Sequence, residues 1–187
     1  MNYDFVDYRS DVQYIIHCIS LHGNDLIGAE VGLFRCESFC TILQNCPNVK
    51  MLYGIDKWQP YVDYIGPTPM EVEEKDIDLV KFTAYNYFKW SGETDRGTII
   101  EKDSNEAVKD FEDNSLDFVF LDSYLDYGQA LDDLNTWYSK VKVGGLFSGH
   151  DWNSPQVQEA VYKFRQDNDI TEHMSCYGDT WIWKRYE

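Results

Sequence analysis

Five apolar runs in this chain of 187 residues close on, or carry near their ends, an acidic group: Glu30 in LIGAEV, Asp56 after VKMLYGI, Asp103 just past GTIIE, Asp122 after LDFVFL, and Asp151, preceded by His150, after GLFSG. Any one of these acids is ordinarily a turn or capping residue, because Asp bonds its own local backbone. Their recurrence at corresponding places is what local turn chemistry does not require. Grouped carboxylates suit a ligand that offers a hydroxyl pair or a positive charge. A histidine among them can move a proton near neutral pH. His17, His22 and His173 have no comparable setting.

The elements between these groups decide whether they meet. Val12, Ile15, Ile16 and Ile19 recur at helical spacing, so residues 8–21 read as an amphipathic helix. LIGAEV, a helix over SFCTILQN and the run VKMLYGID then form a strand, helix, strand unit with a right-handed crossover. Residues 57–70 hold Pro60, Pro67 and Pro69 among Trp58, Tyr61 and Tyr64, which is a loop composition. Helices over 72–90, 104–111 and 127–141 alternate with strands at GTIIE, LDFVFLD and GLFSGHD. A further helix begins near Ser154-Pro155, and a hairpin turns around Tyr177-Gly178-Asp179.

This pattern predicts an α/β fold: a Rossmann-like three-layer sandwich with a mostly parallel seven-stranded sheet and an antiparallel C-terminal hairpin at one edge. Such sheets bind ligands outside the carboxyl ends of their strands, where all the acids above would lie. One domain over 1–187 is expected, with a helical extension at 1–24 and a lid at 57–75.

Composition narrows the ligand. With 33 acidic against 16 basic side chains the formal charge is −17, which opposes nucleic acid and anionic membrane surfaces as partners. No apolar run is long enough to span a membrane. The five cysteines are odd in number and the opening MNYDFVDYRS has no leader pattern, so a reduced, cytoplasmic setting is expected. Cys36 and Cys40 read as ordinary packed or partly exposed thiols. The first turn, GAEVGLFRCES, holds only Gly28 and Gly32 and makes a poor cradle for a pyrophosphate. S-adenosylmethionine has no phosphate; its ribose diol, sulfonium and α-amino group all pair with carboxylates, and Asp56 is placed to accept the ribose hydroxyls.

The segments GAEVGLFRCES, GIDKWQPY, KDSNEAVKDFEDNSLDFVFLDS, ALDDLNTWYSKVKVGG, GHDW and GDTWIWK follow one another in an order and spacing that resembles the class I S-adenosylmethionine-dependent methyltransferases, and within them the methyltransferase domain 24 family. The resemblance runs over about residues 26–184. It implies that Glu30 and Gly32 line the methionine end of the cofactor, that Asp56 holds the ribose, that Asp103 and Ser104 flank the adenine, and that Asp122 lies beside the transferred methyl. His150 and Asp151 are the expected catalytic pair, with His150 as general base. The resemblance reaches metal-dependent O-methyltransferases, which implies a magnesium site at Asp122 and Asp151, with His150 or Asn153 as further ligands, although magnesium prefers oxygen.

Two positions depart from the family: Cys36 stands where a second glycine is usual, and Leu125, in DSYLDY, where a histidine is usual. The expected activity is methyl transfer to an oxygen or nitrogen of a small-molecule acceptor, in a chain that can form a homo-oligomer. A catalytically inactive binding protein of the same fold is the alternative, and a nucleotide-dependent oxidoreductase a more distant one.

Overall fold

Side chains along LDFVFL point alternately to the two faces of a sheet, and each face finds its own core: Phe118 and Phe120 on one side, Val119 and Leu121 on the other, all essentially buried. Burying each phenylalanine contributes about 1.5–3 kcal/mol. The computed structural model describes residues 12–63, 70–123 and 126–186.

In chain order the elements are α1 (Gln13–Ser20), β1 (Leu26–Val31), α2 (Glu37–Asn45), β2 (Val49–Ile55), β3 (Tyr61–Asp63), β4 (Met70–Val72), α3 (Glu74–Ser91), β5 (Gly97–Ile100), α4 (Ser104–Ala107), β6 (Leu116–Leu121), α5 (Tyr127–Trp137), β7 (Val141–Gly149), α6 (Pro155–Asp167), β8 (Ser175–Tyr177) and β9 (Thr180–Lys184). The main sheet has seven strands in the order β5-β2-β1-β6-β7-β9-β8. Its first five strands are parallel, β9 runs antiparallel to β7, and β8 pairs back on β9 as a hairpin. Strand order reverses between β1 and β6, the switch point at which such sheets leave a crevice.

The helices α1, α2 and α3 cover one face through Ile15, Ile19, Phe39, Ile42 and Phe88. The other face is covered by α4, α5 and α6, through Ala107, Leu134, Trp137, Val161 and Phe164, with Trp181 and Trp183 of β9 stacked at 5.1 Å beneath them. This is the three-layer arrangement that the alternating pattern predicts.

Boundaries differ in places. Residues 1–11, which include the first four of the helix expected over 8–21, lie outside the described residues. The proline-rich segment is not all loop: β3 and β4 form a small antiparallel ladder, Tyr61 opposite Val72. Alternating β-formers such as Tyr61 and Val62 pair here despite the nearby prolines, while Tyr64, Pro67 and Pro69 fall outside the described residues. The long helix stops at Trp137, because the β-branched run from Val141 already belongs to β7. Among the described residues the five cysteines are all free thiols, and no helix is long and apolar enough to cross a membrane.

Candidate active site

The backbone ladder continues past the strand ends and so fixes the groups that follow them. Asp122 N donates to Val31 O at 2.7 Å, His150 N to Leu121 O at 2.9 Å, Gly32 N to Ile55 O at 2.8 Å and Asp56 N to Ile100 O at 3.3 Å. Glu30, Gly32, Asp56, Asp122 and His150 are thereby brought to one edge of the sheet, as the sequence pattern implies.

Gly32 has φ +94°, and a Cβ placed on it would meet Asp122 O at 2.3 Å and Ser123 Cα at 2.4 Å. Both obstacles are backbone, so neither can swing aside. Gly32→Ala is expected to cost about 3 kcal/mol, from a left-handed alanine plus overpacking, and to lower Tm by roughly 6–12 °C for a domain of this size. Thermal unfolding checks this; an unchanged Tm would contradict the close approach. Cys36, in place of the usual glycine, also adopts a left-handed conformation, φ 63°, at the N-cap of α2. It keeps the glycine's backbone shape while filling the core beneath the loop.

Burial and the neighbouring Cys40 push the Cys36 thiol well up, and burial pushes Cys40 to about 12 and Cys46 to about 11. These thiols are protonated and packed, as expected.

Asp56 does more than face outward. Its Oδ2 accepts from the amides of Leu33 and Phe34, each at 2.9 Å, and its Oδ1 from Trp58 N at 2.7 Å. The indole of Trp58 is buried and donates to Phe34 O at 2.9 Å. The acid at the end of β2 is thus the clamp on the first loop. Glu30, fully buried, accepts from the Ser38 hydroxyl at the start of α2.

Asp103 caps α4 by accepting from Asn105 N at 3.0 Å and pairs with Lys57 at 3.2 Å. That exposed pair is worth at most about 1 kcal/mol. Ser104 is committed elsewhere: its hydroxyl donates to Asp133 Oδ1 at 2.5 Å and accepts from Trp137 Nε1 at 2.8 Å. Its hydroxyl is thereby tied to α5. Asp133, fully buried, also accepts from Ser123 Oγ at 3.0 Å and Gln129 Nε2 at 3.4 Å.

Burial holds the Asp133 carboxyl above the ordinary 3.8, and the hydroxyl and amide donors only partly offset it. Such a group stabilises the fold most below its unfolded value and loses that contribution as pH rises through its folded value. Relative to wild type, Asp133→Asn is therefore expected to gain stability with rising pH across that window and to level off above it. Urea unfolding at a series of pH values checks this; a pH-independent difference would contradict it.

The densest cluster surrounds His150, itself 7% exposed. Its Nδ1 lies 3.0 Å from Asp151 Oδ1 and 3.4 Å from Asp122 Oδ1, and its Nε2 lies 4.0 Å from Asp179 Oδ2. A proton on Nδ1 would be shared between two carboxylates, and Nε2, which faces Asp179, would then be the basic nitrogen. Asp179 is held by accepting from Asn153 N at 2.7 Å.

Two members of these networks escaped the sequence pattern. Asp179 sits in the hairpin turn, and only the pairing of Gly149 with Trp181 brings that turn beside His150. Asp133 carried a readable signal: it lies three residues after Ala130 and four before Trp137, inside the buried stripe of α5.

Asp122, His150 and Asp151 each offer a ligand atom within 4.8 Å of the others. The set fits magnesium poorly. Magnesium asks for oxygen donors in an octahedron, whereas here an imidazole nitrogen lies against both carboxylates. Asn153 contributes only its backbone amide to the neighbourhood, by way of Asp179. Leu125 lies outside the described residues. A surface depression of about 560 Å³ between α5 and α6, lined by Tyr127, Pro155 and Tyr162, carries none of the strand-end groups.

A seven-stranded, mostly parallel sheet with an antiparallel C-terminal hairpin, helices on both faces and acids at the strand ends defines a class I methyltransferase fold. A family model for the methyltransferase domain matches residues 29–152, more than half of the chain, and the chain belongs to that family. Among solved structures it is similar to a precorrin-6y C5,15-methyltransferase from Geobacter metallireducens GS-15, with TM-score 0.67 and 12% identity over 99% of this chain and 94% of that one. It is also similar to the O-methyltransferase NovP, with TM-score 0.66 and 20% identity over 94% of this chain and 79% of that one. These likenesses carry the fold. An uncharacterised protein of Acanthamoeba polyphaga mimivirus is 26% identical over 148 residues, 77% of this chain; the chain spans 61% of that relative's length.

Proposed function

We propose that this chain transfers the methyl group of S-adenosylmethionine to an oxygen or nitrogen of a small-molecule acceptor, with His150 as general base. The observation that carries this reading is His150 itself, secluded at the end of β7 with its Nδ1 against Asp151 and Asp122. Bound S-adenosylmethionine would supply a methyl carbon already activated by its sulfonium. What the chain must add is alignment and a proton acceptor.

The edge suits that ligand. Gly32 lets the first loop pack directly against the backbone of Asp122 and Ser123, which brings the ends of β1 and β6 together. Three of the roughly four lone-pair sites of the Asp56 carboxylate accept amides, which leaves one on Oδ1 to take a ribose hydroxyl. Glu30 and Asp122 supply negative charge where the cationic end would lie. With Nδ1 holding its proton, His150 Nε2 takes the proton of the acceptor, and Asp151 and Asp122 stabilise the imidazolium. The β3–β4 ladder, which follows the end of β2 in the chain, would act as a lid over the acceptor.

The test is incubation of the full chain with methyl-labelled S-adenosylmethionine and a panel of phenols, catechols and amines, with and without magnesium. Label transfer that persists in a chelator is expected. Saturable cofactor binding without transfer to any acceptor class would favour a binding protein, and absence of binding would overturn the reading.

A further inference from the structure

β5 and β6 are not neighbours in the sheet; β2 and β1 stand between them, a separation of about 14 Å at the usual strand spacing. The loops that leave them nevertheless converge. Ser104, one residue after Asp103, and Ser123, one residue after Asp122, both donate their hydroxyls to the same buried carboxylate, Asp133. Ser104 is fixed a second time by Trp137 Nε1, one turn further along α5. Gln129, one turn earlier, completes the set.

A fully buried carboxylate is costly, and a valine or leucine would pack at this point of the helix without that cost. Three donors from three segments make it instead a fastener with defined directions. The two loops it joins bracket the ends of β1 and β2, where Gly32 and Asp56 lie.

We infer that Asp133 is a positioning residue, which, through Ser104 and Ser123, sets the separation between the loop carrying Asp103 and the loop carrying Asp122. This rests on the reading of those loops as opposite ends of the cofactor site. Asp133 touches no bound ligand in this scheme. Its effect is on where two other acids stand, so a shift of either loop spoils both at once.

The experiment is calorimetric titration of the full chain with S-adenosylmethionine, alongside thermal unfolding, for wild type, Ser123→Ala, Asp133→Asn and Asp133→Leu. Ser123→Ala removes one arm and leaves the α5 core intact. Expected is a loss of about tenfold in affinity for Ser123→Ala with little change in Tm, a larger loss for Asp133→Leu, and partial recovery in Asp133→Asn, whose amide keeps one acceptor.

Hydrogen exchange supplies a reading that needs no ligand: in Ser123→Ala, amides 104–107 on the opposite loop should exchange several-fold faster. Wild-type affinity in Ser123→Ala and Asp133→Asn, with only Tm altered, overturns the positioning role and leaves the cofactor reading standing. Failure of the wild type to bind overturns that reading and the role built on it. Unchanged exchange at 104–107 overturns the coupling between the loops in either case.

Discussion

Asp56→Ala is expected to abolish measurable S-adenosylmethionine binding, a loss of at least a hundredfold, and to destabilise the fold as well. Hydrogen bonds to a charged acceptor are worth about 1.5–3 kcal/mol each; the ribose would lose one directly, and the loop beside it would lose its clamp. The same substitution strips an acceptor from the amides of Leu33, Phe34 and Trp58. Leu33 and Trp58 are buried, so their orphaned amides cost about 1–3 kcal/mol each.

Asp56→Asn should not rescue. Both carboxylate oxygens face N–H donors, so whichever way the amide turns, its NH2 meets a donor. Titration calorimetry and unfolding on the two variants together check this. If Asp56→Asn binds as wild type does, the carboxylate is not the clamp described.

His150→Gln is expected to lower kcat by roughly 10²–10⁴-fold, the range for loss of a general base, while changing cofactor affinity by less than about twofold. Glutamine retains an N–H donor for the carboxylates of Asp151 and Asp122, so the cluster keeps a partner where alanine would leave like charges facing one another. Single-turnover kinetics with labelled cofactor separates the two quantities. An undiminished rate would move the base elsewhere, and equal losses in binding and turnover would make His150 a binding residue.

The parts of this molecule that the sequence made legible are those governed by local pattern. The strand LDFVFL followed from its apolar run, the helices over 127–141 and from Ser154-Pro155 from spacing and capping residues, and the acids closing each strand from strand direction. What stayed hidden depends on register and on contacts between distant segments. Asp179 is an ordinary turn residue until β9 pairs with β7 and carries it alongside His150. The family resemblance named Ser104 beside Asp103, but no local pattern disclosed that its hydroxyl bonds a carboxylate 29 positions away. Asp133 was readable in principle, as a charge within an apolar stripe. The β3–β4 ladder was obscured because prolines weigh heavily in a composition argument while pairing depends on the residues between them.

The hairpin of β8 and β9 has a consequence in time. A ribosome delivers β1 through β7 before Asp179, Trp181 or Trp183 exists, so the parallel part of the sheet emerges with β7 as a raw edge and its tryptophan-lined cover missing. His150 gains Asp179, and its carbonyl the Trp181 indole, only when β9 zips onto that edge. Until then the chain carries its other strand-end acids without that turn beside them, and a stall in synthesis before residue 175 would leave an exposed, sticky strand and a histidine lacking Asp179. Competence for chemistry and protection from edge-to-edge aggregation arrive together, in the same few residues.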